Sequence, residues 1–263
     1  MKIGFIGGGN MAEAMLKGMI SKGIKDVIVS EPGEERRQYL VKTFGVETSD
    51  SNKTVVSRCG LIILAVKPQN MEDVLDDIKD SVTENITVMS IAAGIRLDYI
   101  SSRLNTKHII RVMPNTPALV QEGMSVMSLC ECFSGEGLNV ARDILMSIGK
   151  VLTLPEKHMD AVTALSGSGP GFIAYFVEAM IEGGMNLGLS EDDARALAVQ
   201  TLVGTAGLLD TGMPPSRLRE MVTSPGGTTA AGLEALDNNN FRNTVHAALE
   251  AARNRGKELG NKS

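Results

Sequence analysis

Residues 3–12 of the chain read IGFIGGGNMA, an apolar run followed at once by three glycines and a segment of helical spacing. The run at residues 3–6 has the character of a buried strand, and the glycines mark a tight turn. A strand that turns sharply into a helix is the first half of a βαβ unit. The stretch therefore predicts that the chain opens a layered α/β domain.

Gly7, Gly9 and Ala12 form the motif G-x-G-x-x-A at this turn. Gly7 allows the tight turn, Gly9 lets a pyrophosphate approach the backbone, and Ala12 allows the helix to pack closely on the strand. The helix N-terminus offers N–H donors and the positive end of its dipole to a phosphate. Because the motif follows a predicted strand and begins a predicted helix, it indicates a dinucleotide-binding site.

Further apolar runs occur at residues 27–29, 61–66, 87–91 and 108–113, with amphipathic segments between them. Strands that alternate with helices form right-handed βαβ units and a parallel sheet. We expect this pattern to continue to about residue 154.

From Met159 onward the sequence predicts helices alone. Ser190 is expected to cap one of them, and residues 196–209 of that helix carry no charge. A helix that is apolar on nearly all sides is buried, here against a second subunit; a single monomeric helical subdomain is the alternative. We predict a dinucleotide-binding domain at residues 1–156 and an all-helical dimerisation and substrate domain at residues 157–263.

The chain has 263 residues, a formal net charge of -5 and 43% hydrophobic residues. This composition excludes intrinsic disorder, and the lack of a basic block argues against nucleic-acid binding. We expect neither a signal peptide nor a membrane-spanning segment. The three cysteines fit a reducing compartment, and the C-x-C formed by Cys130 and Cys132 is too little for a metal site. We therefore expect a cytoplasmic protein with no metal.

The end of the second predicted strand bears on the choice between NAD and NADP. Glu31 stands where an acid can hold a ribose 2′-hydroxyl, and its charge would repel a 2′-phosphate. Arg36 and Arg37 follow in the next helix, where they could attract that phosphate or face solvent. The sequence leaves the choice between NAD and NADP open, and Glu31 is a candidate cofactor-binding residue.

Three more strand ends carry small, stiff or polar residues, and ligands of doubly wound sheets bind at such ends. Lys67 follows one strand, which places it near cofactor phosphate or substrate unless it is a plain surface lysine. Residues 90–94 read SIAAG, small enough for nicotinamide to lie close to the backbone, and residues 111–117 read RVMPNTP. These ends are predicted to line one cleft.

A second glycine-rich turn, SPGGTT at residues 224–229, precedes a helix in the second half. Successive glycines at a helix start expose several N–H groups in one concavity, which binds an anion. Ser224, Thr228 and Thr229 add hydroxyl donors. The turn therefore predicts a site for a small carboxylate in preference to a plain helix cap.

The sequence offers no well-placed Ser-His-Asp or Cys-His set. The cofactor is then expected to carry the chemistry, with the protein holding and orienting it. Hydride transfer to an imine fits this pattern, because a protonated C=N bond is already electrophilic.

Six motifs together resemble those of pyrroline-5-carboxylate reductase. They read GGGNM, AVKPQ, SIAAG, RVMPNTPA, LSGSGP and SPGGTTxxGL, and begin at residues 7, 65, 90, 111, 165 and 224. The resemblance covers nearly the whole chain. It implies reduction of 1-pyrroline-5-carboxylate to L-proline by NADPH or NADH, the last step of proline biosynthesis. It also implies a Rossmann domain and a helical domain through which two chains interlock as a homodimer, often assembled further into rings.

The resemblance also implies roles for individual residues. In addition to Glu31, the cofactor would be bound by Gly7, Gly8, Gly9, Asn10, Met11, Asn52, Ala65, Val66, Lys67, Pro68, Ala92, Ala93 and Gly94. The substrate would be bound by Ser224, Gly227, Thr228 and Thr229, with Thr229 hydrogen-bonded to the ring nitrogen as the catalytic proton donor. The active site would lie between the Rossmann domain of one chain and helices of the dimer.

Two residues depart from the family pattern. Glu31 stands where members that use NADPH usually offer a small hydroxyl residue, and Gly171 stands where alanine is usual. Two other functions compete with the reductase. A related imine or β-hydroxyacid reductase is one, although a β-hydroxyacid enzyme needs a catalytic lysine that residues 171–188 lack. A non-catalytic nucleotide sensor is the other, although it would not need the intact turn at residues 224–229.

Overall fold

The computed structural model describes residues 1–130, 133 and 137–260, which form two compact units. The first unit comprises Met1–Ser168 and the end of the last helix from Ala251, and the second comprises Gly169–Glu250. The domain boundary predicted at residue 156 stays a prediction. Cys132 of the C-x-C pair lies outside the described residues.

One sheet forms the centre of the first unit. Its strands are β1 Ile3–Ile6, β2 Val27–Ser30, β3 Glu47–Ser49, β4 Leu61–Leu64, β5 Thr87–Ser90, β6 Ile109–Met113, β7 Gly123–Leu129 and β8 Gly149–Thr153. Their spatial order is β3-β2-β1-β4-β5-β6-β7-β8, and the pairs from β3 to β6 are all parallel. The order 3-2-1-4-5-6 is that of the Rossmann fold, so the predicted fold class of this unit is confirmed.

Helices cover the sheet. They are α1 Asn10–Ser21, α2 Glu34–Phe44, α3 Asn52–Val56, α4 Met71–Ile78, α5 Leu97–Ser101, α6 Gly137–Met146 and α7 Met159–Val162. Three short 3₁₀ helices lie at Pro68–Asn70, Thr116–Val120 and Glu156–His158, and one π-helical turn follows α7 at Thr163–Gly167.

Alternate side chains of each strand point to opposite faces of the sheet, and each face has its own apolar core. Phe5 and Ile63 belong to the core that includes Met15 of α1. Ile62 belongs to the other core, which includes Leu75 of α4. Because both faces are covered, the central strands are apolar at most positions, and β4 at all four, which explains why their runs in the sequence are nearly continuous.

The sheet departs from the expected parallel pattern at β7, which pairs antiparallel with β6. The chain reverses over the 3₁₀ helix Thr116–Val120 and Gln121, whose φ is 60°. A parallel partner needs a crossover of a dozen residues or more, and the connection to β7 is too short for one. The expectation of a parallel sheet up to residue 154 was therefore wrong for this pair.

The second unit is helical, as predicted. Its helices are α8 Gly169–Asn186, α9 Glu191–Asp210, α10 Pro215–Met221, α11 Thr228–Asn238 and the first half of α12 Phe241–Gly260. Ser190 caps α9, since its Oγ accepts the N–H of Asp193 at 3.2 Å. Large apolar side chains stay exposed in the single chain, among them Tyr175 at 76% and Leu197 at 57%. Exposed apolar surface of this kind marks an interaction face.

Among the residues that the structure describes, no helix is both long and apolar enough to cross a membrane.

A buried ion pair ties three segments of the first unit together. Arg111 of β6 is 5% exposed, and its guanidinium lies 2.9 Å from Oε1 of Glu156. The same oxygen accepts the N–H of Leu97, the first residue of α5, at 2.8 Å. Arg111, the first residue of the RVMPNTP motif, therefore has a structural partner.

Replacing Glu156 with alanine should lower the free energy of unfolding by about 3 kcal/mol, because the guanidinium of Arg111 would remain buried without its carboxylate. Urea unfolding followed by circular dichroism measures the change. Glu122→Ala removes an exposed carboxylate and is the control, with an expected effect within about 0.5 kcal/mol. Equal effects of the two substitutions would contradict the structural role of the ion pair.

Candidate functional site

The turn after β1 is built around Gly7. Its φ is 97°, in the left-handed region that favours glycine, and its N–H donates to the carbonyl of Ser30 at 2.8 Å. A Cβ on Gly7 would lie 2.7 Å from the carbonyl oxygen of Ala65. The glycine is therefore required by the fold itself, whether or not a ligand is present.

Gly9 has a different role from Gly7. It precedes α1 with an ordinary φ of -73°, and a Cβ built on it meets no described atom within 4 Å. Neither the backbone conformation nor packing requires a glycine here. Gly9 also offers no side chain to cap α1, which leaves the first N–H groups of the helix available to an anion. This open helix start fits a pyrophosphate group, as the motif predicts.

Four neighbouring strands bring the predicted cofactor residues to one edge of the sheet. The N–H of Ala65 donates to the carbonyl of Ile6 at 2.8 Å, and the N–H of Ile91 donates to that of Leu64 at 3.2 Å. The segments that follow β1, β2, β4 and β5 therefore begin side by side. These segments hold Gly7 to Met11, Glu31, Ala65 to Pro68, and Ala92 to Gly94.

Within these segments the side chains differ in accessibility. Lys67 is exposed and precedes the 3₁₀ helix Pro68–Asn70. Ala92 is buried, Ala93 is exposed and Gly94 has a φ of 80°. The loop after β5 thus offers backbone and small side chains, as expected for a surface that a flat ring approaches closely.

Asn52 is held at this edge by two polar neighbours. The hydroxyl of Ser30, at the end of β2, donates to Oδ1 of Asn52 at 2.6 Å. Nδ2 of Asn52 donates to Oδ2 of Asp77, on α4, at 3.0 Å. Sequence reasoning did not identify Asp77, because nothing in its local pattern distinguishes it from other exposed acids of an amphipathic helix.

Glu31 directly follows β2, and hydrogen bonds orient its carboxylate from two sides. Its Oε2 accepts the N–H of Gly8 at 3.0 Å, and its Oε1 accepts the N–H of Gly33 at 3.0 Å. The carboxylate therefore takes part in the turn that carries the dinucleotide motif. Residue 8 suits a glycine for a separate reason, since a Cβ there would lie 2.8 Å from the side chain of Leu40.

Arg36 crosses from α2 to the same turn. Its Nε donates to the carbonyl of Gly8 at 2.6 Å, and its Nη2 lies 2.5 Å from Oε2 of Glu13. Tyr39 donates to the other oxygen of Glu13 at 2.8 Å. Burial acts to raise the pKa of the Glu13 carboxyl, but the hydrogen bonds from Arg36 and Tyr39 hold it below its ordinary value. Glu13 is therefore a carboxylate at neutral pH, and it neutralises Arg36.

Two of the sequence motifs meet in the first unit. Nδ2 of Asn115 donates to the carbonyl and the hydroxyl oxygen of Ser166 at 3.2 and 3.3 Å. Oδ1 of Asn115 accepts the N–H of Met124, in β7, at 2.8 Å. Ser166 lies in the π-helical turn Thr163–Gly167, and such turns are frequent at functional sites. Asn115 thus fixes the LSGSGP loop against the RVMPNTP loop.

The glycine-rich turn of the second unit has the form expected of an anion site. Gly226 has a φ of 72°, and the N–H of Gly227 donates to the carbonyl of Ser224 at 3.0 Å. Gly227 precedes α11 and offers no side chain to cap it, so the N–H groups from Thr228 onward are available to a ligand. A Cβ on Gly227 would collide with the hydroxyl of Ser224. Thr229 is half-buried and lies in the first turn of α11.

The chain is similar to known proteins over its whole length. The family model described as "Pyrroline-5-carboxylate reductase dimerisation" matches residues 156–259, and the model "NADP oxidoreductase coenzyme F420-dependent" matches residues 2–94. The pyrroline-5-carboxylate reductase of Synechocystis sp. is 40% identical over 266 residues, which cover 100% of this chain and 99% of the relative.

Two solved structures extend the similarity to three dimensions. A pyrroline-5-carboxylate reductase from Coxiella burnetii has a TM-score of 0.92 at 35% identity and covers 98% of both chains. The pyrroline carboxylate reductase of Plasmodium falciparum, solved with NADP bound, has a TM-score of 0.88 at 31% identity and covers 99% of this chain and 98% of its own.

The chain belongs to the pyrroline-5-carboxylate reductase family. It is an NAD(P)-dependent oxidoreductase of this family, whose reaction converts 1-pyrroline-5-carboxylate to proline. The fold class of a pyrroline-5-carboxylate reductase, a Rossmann domain followed by a helical dimerisation domain, is also confirmed. The family predicted from the six motifs is thus the family that the comparisons find.

Changing Gly7 to alanine should mainly lower the stability of the protein, whereas changing Gly9 to alanine should mainly lower its affinity for the cofactor. Gly7→Ala should lower the free energy of unfolding by roughly 2–3 kcal/mol, because its Cβ strains the backbone and meets Ala65. Gly9→Ala should cost less than about 1 kcal/mol of stability but weaken NAD(P)H binding about tenfold, because the methyl group fills the phosphate approach.

Urea unfolding and isothermal titration with NADH and NADPH measure the two effects separately. Undiminished cofactor affinity in Gly9→Ala would show that the pyrophosphate does not approach the backbone at this residue.

Proposed function

We propose that the first unit of this reductase holds NAD(P)H while the turn at residues 224–229 holds the carboxylate of 1-pyrroline-5-carboxylate. The observation that carries the proposal is the pair of uncapped helix starts. One follows Gly9 and the other follows Gly227. An uncapped helix start of this kind binds an anion, and the reaction brings two anionic groups, a pyrophosphate and a carboxylate.

For the cofactor, the binding residues would be Gly7, Gly8, Gly9, Asn10, Met11, Glu31, Asn52, Ala65, Val66, Lys67, Pro68, Ala92, Ala93 and Gly94. Their support is the common edge of the sheet to which β1, β2, β4 and β5 lead. The N–H groups at the start of α1 would hold the pyrophosphate. The small residues after β5 would give the nicotinamide ring its close approach.

For the substrate, Ser224, Gly227, Thr228 and Thr229 would surround the carboxylate with backbone N–H and hydroxyl donors. This arrangement neutralises the carboxylate without an arginine, so the substrate is oriented by fixed dipoles. When bound, NAD(P)H supplies a hydride to the carbon of the C=N bond. The hydroxyl of Thr229 would hydrogen-bond the ring nitrogen and donate the proton that this nitrogen gains, which solvent then replaces.

Thr229→Ala should lower kcat about a hundredfold or more, the size typical of a lost proton donor, with little change in the affinity for NADH or NADPH. Steady-state oxidation of both cofactors with 1-pyrroline-5-carboxylate, together with titration of each cofactor alone, separates the two quantities. Thr229→Ser restores a hydroxyl and should recover much of the rate.

Thr211→Ala is the matched control, because Thr211 Oγ1 donates to the carbonyl of Leu208 at the end of α9 and has no proposed role in catalysis. An unchanged kcat in Thr229→Ala would remove Thr229 from the reaction.

We also propose that residues 1–156 and 157–263 form the two domains and that the second pairs two chains as a homodimer, with rings of dimers as a further assembly. The support is the exposed apolar surface of α8 and α9, together with the match of residues 156–259 to a dimerisation family model. We further assign the enzyme to the cytoplasm. The support is that Cys59 is a buried thiol outside any disulfide, as is usual for proteins of a reducing compartment.

Leu197→Glu should shift the protein from dimer to monomer at micromolar concentration, because it places a charge in the apolar face of α9. Light scattering after size-exclusion chromatography measures the mass. Asp192→Asn changes an exposed acid at the start of the same helix and should leave the mass unaltered. If Leu197→Glu remained dimeric, this face of α9 would not be the interface.

A further inference from the structure

The carboxylate of Glu31 is fixed in place by the backbone. One oxygen accepts the N–H of Gly8 and the other accepts the N–H of Gly33, both at 3.0 Å. Two charge-assisted hydrogen bonds from opposite sides keep the side chain from turning toward solvent. Glu31 directly follows β2, the position from which an acid of a Rossmann fold accepts a hydrogen bond from the ribose 2′-hydroxyl.

A 2′-phosphate at that position would carry a charge of about -1.5 to -2. It would lack the proton that a 2′-hydroxyl donates to a carboxylate, and it would lie against a negative charge that cannot rotate away. Binding it would need a nearby cation that is available to move.

The two arginines in reach of this turn already have partners in the structure. Arg37 donates from Nη1 to the carbonyls of Glu31 and Pro32, both at 2.7 Å. Arg36 is held from two directions, by the carbonyl of Gly8 and by Glu13, and its guanidinium lies 4.8 Å from the centre of the Tyr39 ring. If Arg36 moved toward a phosphate, the half-buried carboxylate of Glu13 would lose its counter-ion.

We infer that this reductase selects NADH over NADPH, with Glu31 as the residue that accepts the ribose hydroxyl and Glu13 as a second specificity determinant that holds Arg36 away from a 2′-phosphate. The inference rests on the proposed function, since it takes the first unit as the cofactor site. It concerns the ratio of two affinities, so it is compatible with binding of both cofactors. Glu13 is a positioning residue, because it acts through Arg36.

The test measures cofactor binding without turnover. The full-length wild-type protein is titrated with NADH and with NADPH in the absence of pyrroline-5-carboxylate, followed by calorimetry and by the increase in nicotinamide fluorescence. We expect the Kd for NADPH to exceed that for NADH by at least about tenfold, the effect of one charged hydrogen bond.

Four variants separate the contributions. Glu31→Gln removes the charge at nearly the same size but keeps only one of the two acceptor oxygens, and Glu31→Ser also makes room for a phosphate. Each should shift the NADPH-to-NADH affinity ratio toward NADPH by about tenfold or more. Glu13→Gln releases Arg36 and should shift the NADPH-to-NADH affinity ratio several-fold toward NADPH. Glu35→Gln is the matched control. It removes an exposed acid from the start of α2, the helix that carries Arg36, and should leave the NADPH-to-NADH affinity ratio unchanged.

Tighter binding of NADPH than of NADH by the wild type would overturn the inference, as would a ratio that Glu31→Gln and Glu31→Ser both leave unaltered. A Glu13→Gln variant with an unchanged NADPH-to-NADH affinity ratio would remove Glu13 alone from it. Thermal unfolding of each variant shows whether the turn still folds, and Glu31→Gln provides the ratio if Glu31→Ser does not. Failure of the proposed function looks different, because neither cofactor would then bind to any of the proteins.

Discussion

At Gly7 the chain leaves β1 in a left-handed conformation, beside the carbonyl of Ala65, which directly follows β4 and leaves no space for a Cβ. This tight turn directs α1 back over the sheet, so that the helix begins at the edge where β1, β2, β4 and β5 end. The rest of the proposed cofactor site depends on it. Without the turn, the open helix start at Gly9 would not face the same edge as the segments after β4 and β5.

The same turn also determines where charge is held. Gly8, which lies between the two glycines of the motif, donates its N–H to Glu31 and its carbonyl accepts from Arg36. The carboxylate of Glu31 and the guanidinium of Arg36 thus both form hydrogen bonds to the backbone of Gly8, which has no side chain. The network of Glu31, Arg36 and Glu13 therefore links the backbone geometry of the turn to the charge that a bound ribose would meet.

The second unit contains a similar helix start that follows a glycine. Gly227 precedes α11 as Gly9 precedes α1, each without a side chain that could cap the helix. Both helices therefore offer N–H groups and a positive dipole end to an anion. The exposed apolar side chains of α8 and α9 have a separate cause, since a unit of this size cannot bury two largely apolar helices within one chain.

Much of the fold was predictable because its signals are local. The buried strands were located by continuous apolar runs, the start of α9 by the capping Ser190, and the Rossmann turn by its glycines. The strands β3, β7 and β8 were not predicted, since their sequences are short or mixed and their pairing depends on distant partners. Asp77 and Glu13 were missed for the same reason, as were the partners of Asn115, although its loop was predicted to line the cleft. Their roles arise from hydrogen bonds to residues far away in the chain, which no local pattern encodes.

The sequence by itself determined the family, the order of the elements and the residue types of the two glycine-rich turns, because these depend on spacing along the chain. It left the environment of Glu31 open, since Arg36 and Arg37 could equally have faced a phosphate or solvent. Only the tertiary structure decided that both arginines have partners and that Gly8 and Gly33 orient Glu31. The physical reason is that a charge acts on a ligand through its distance and its neighbours, and folding alone brings β1, α1 and α2 together to define them.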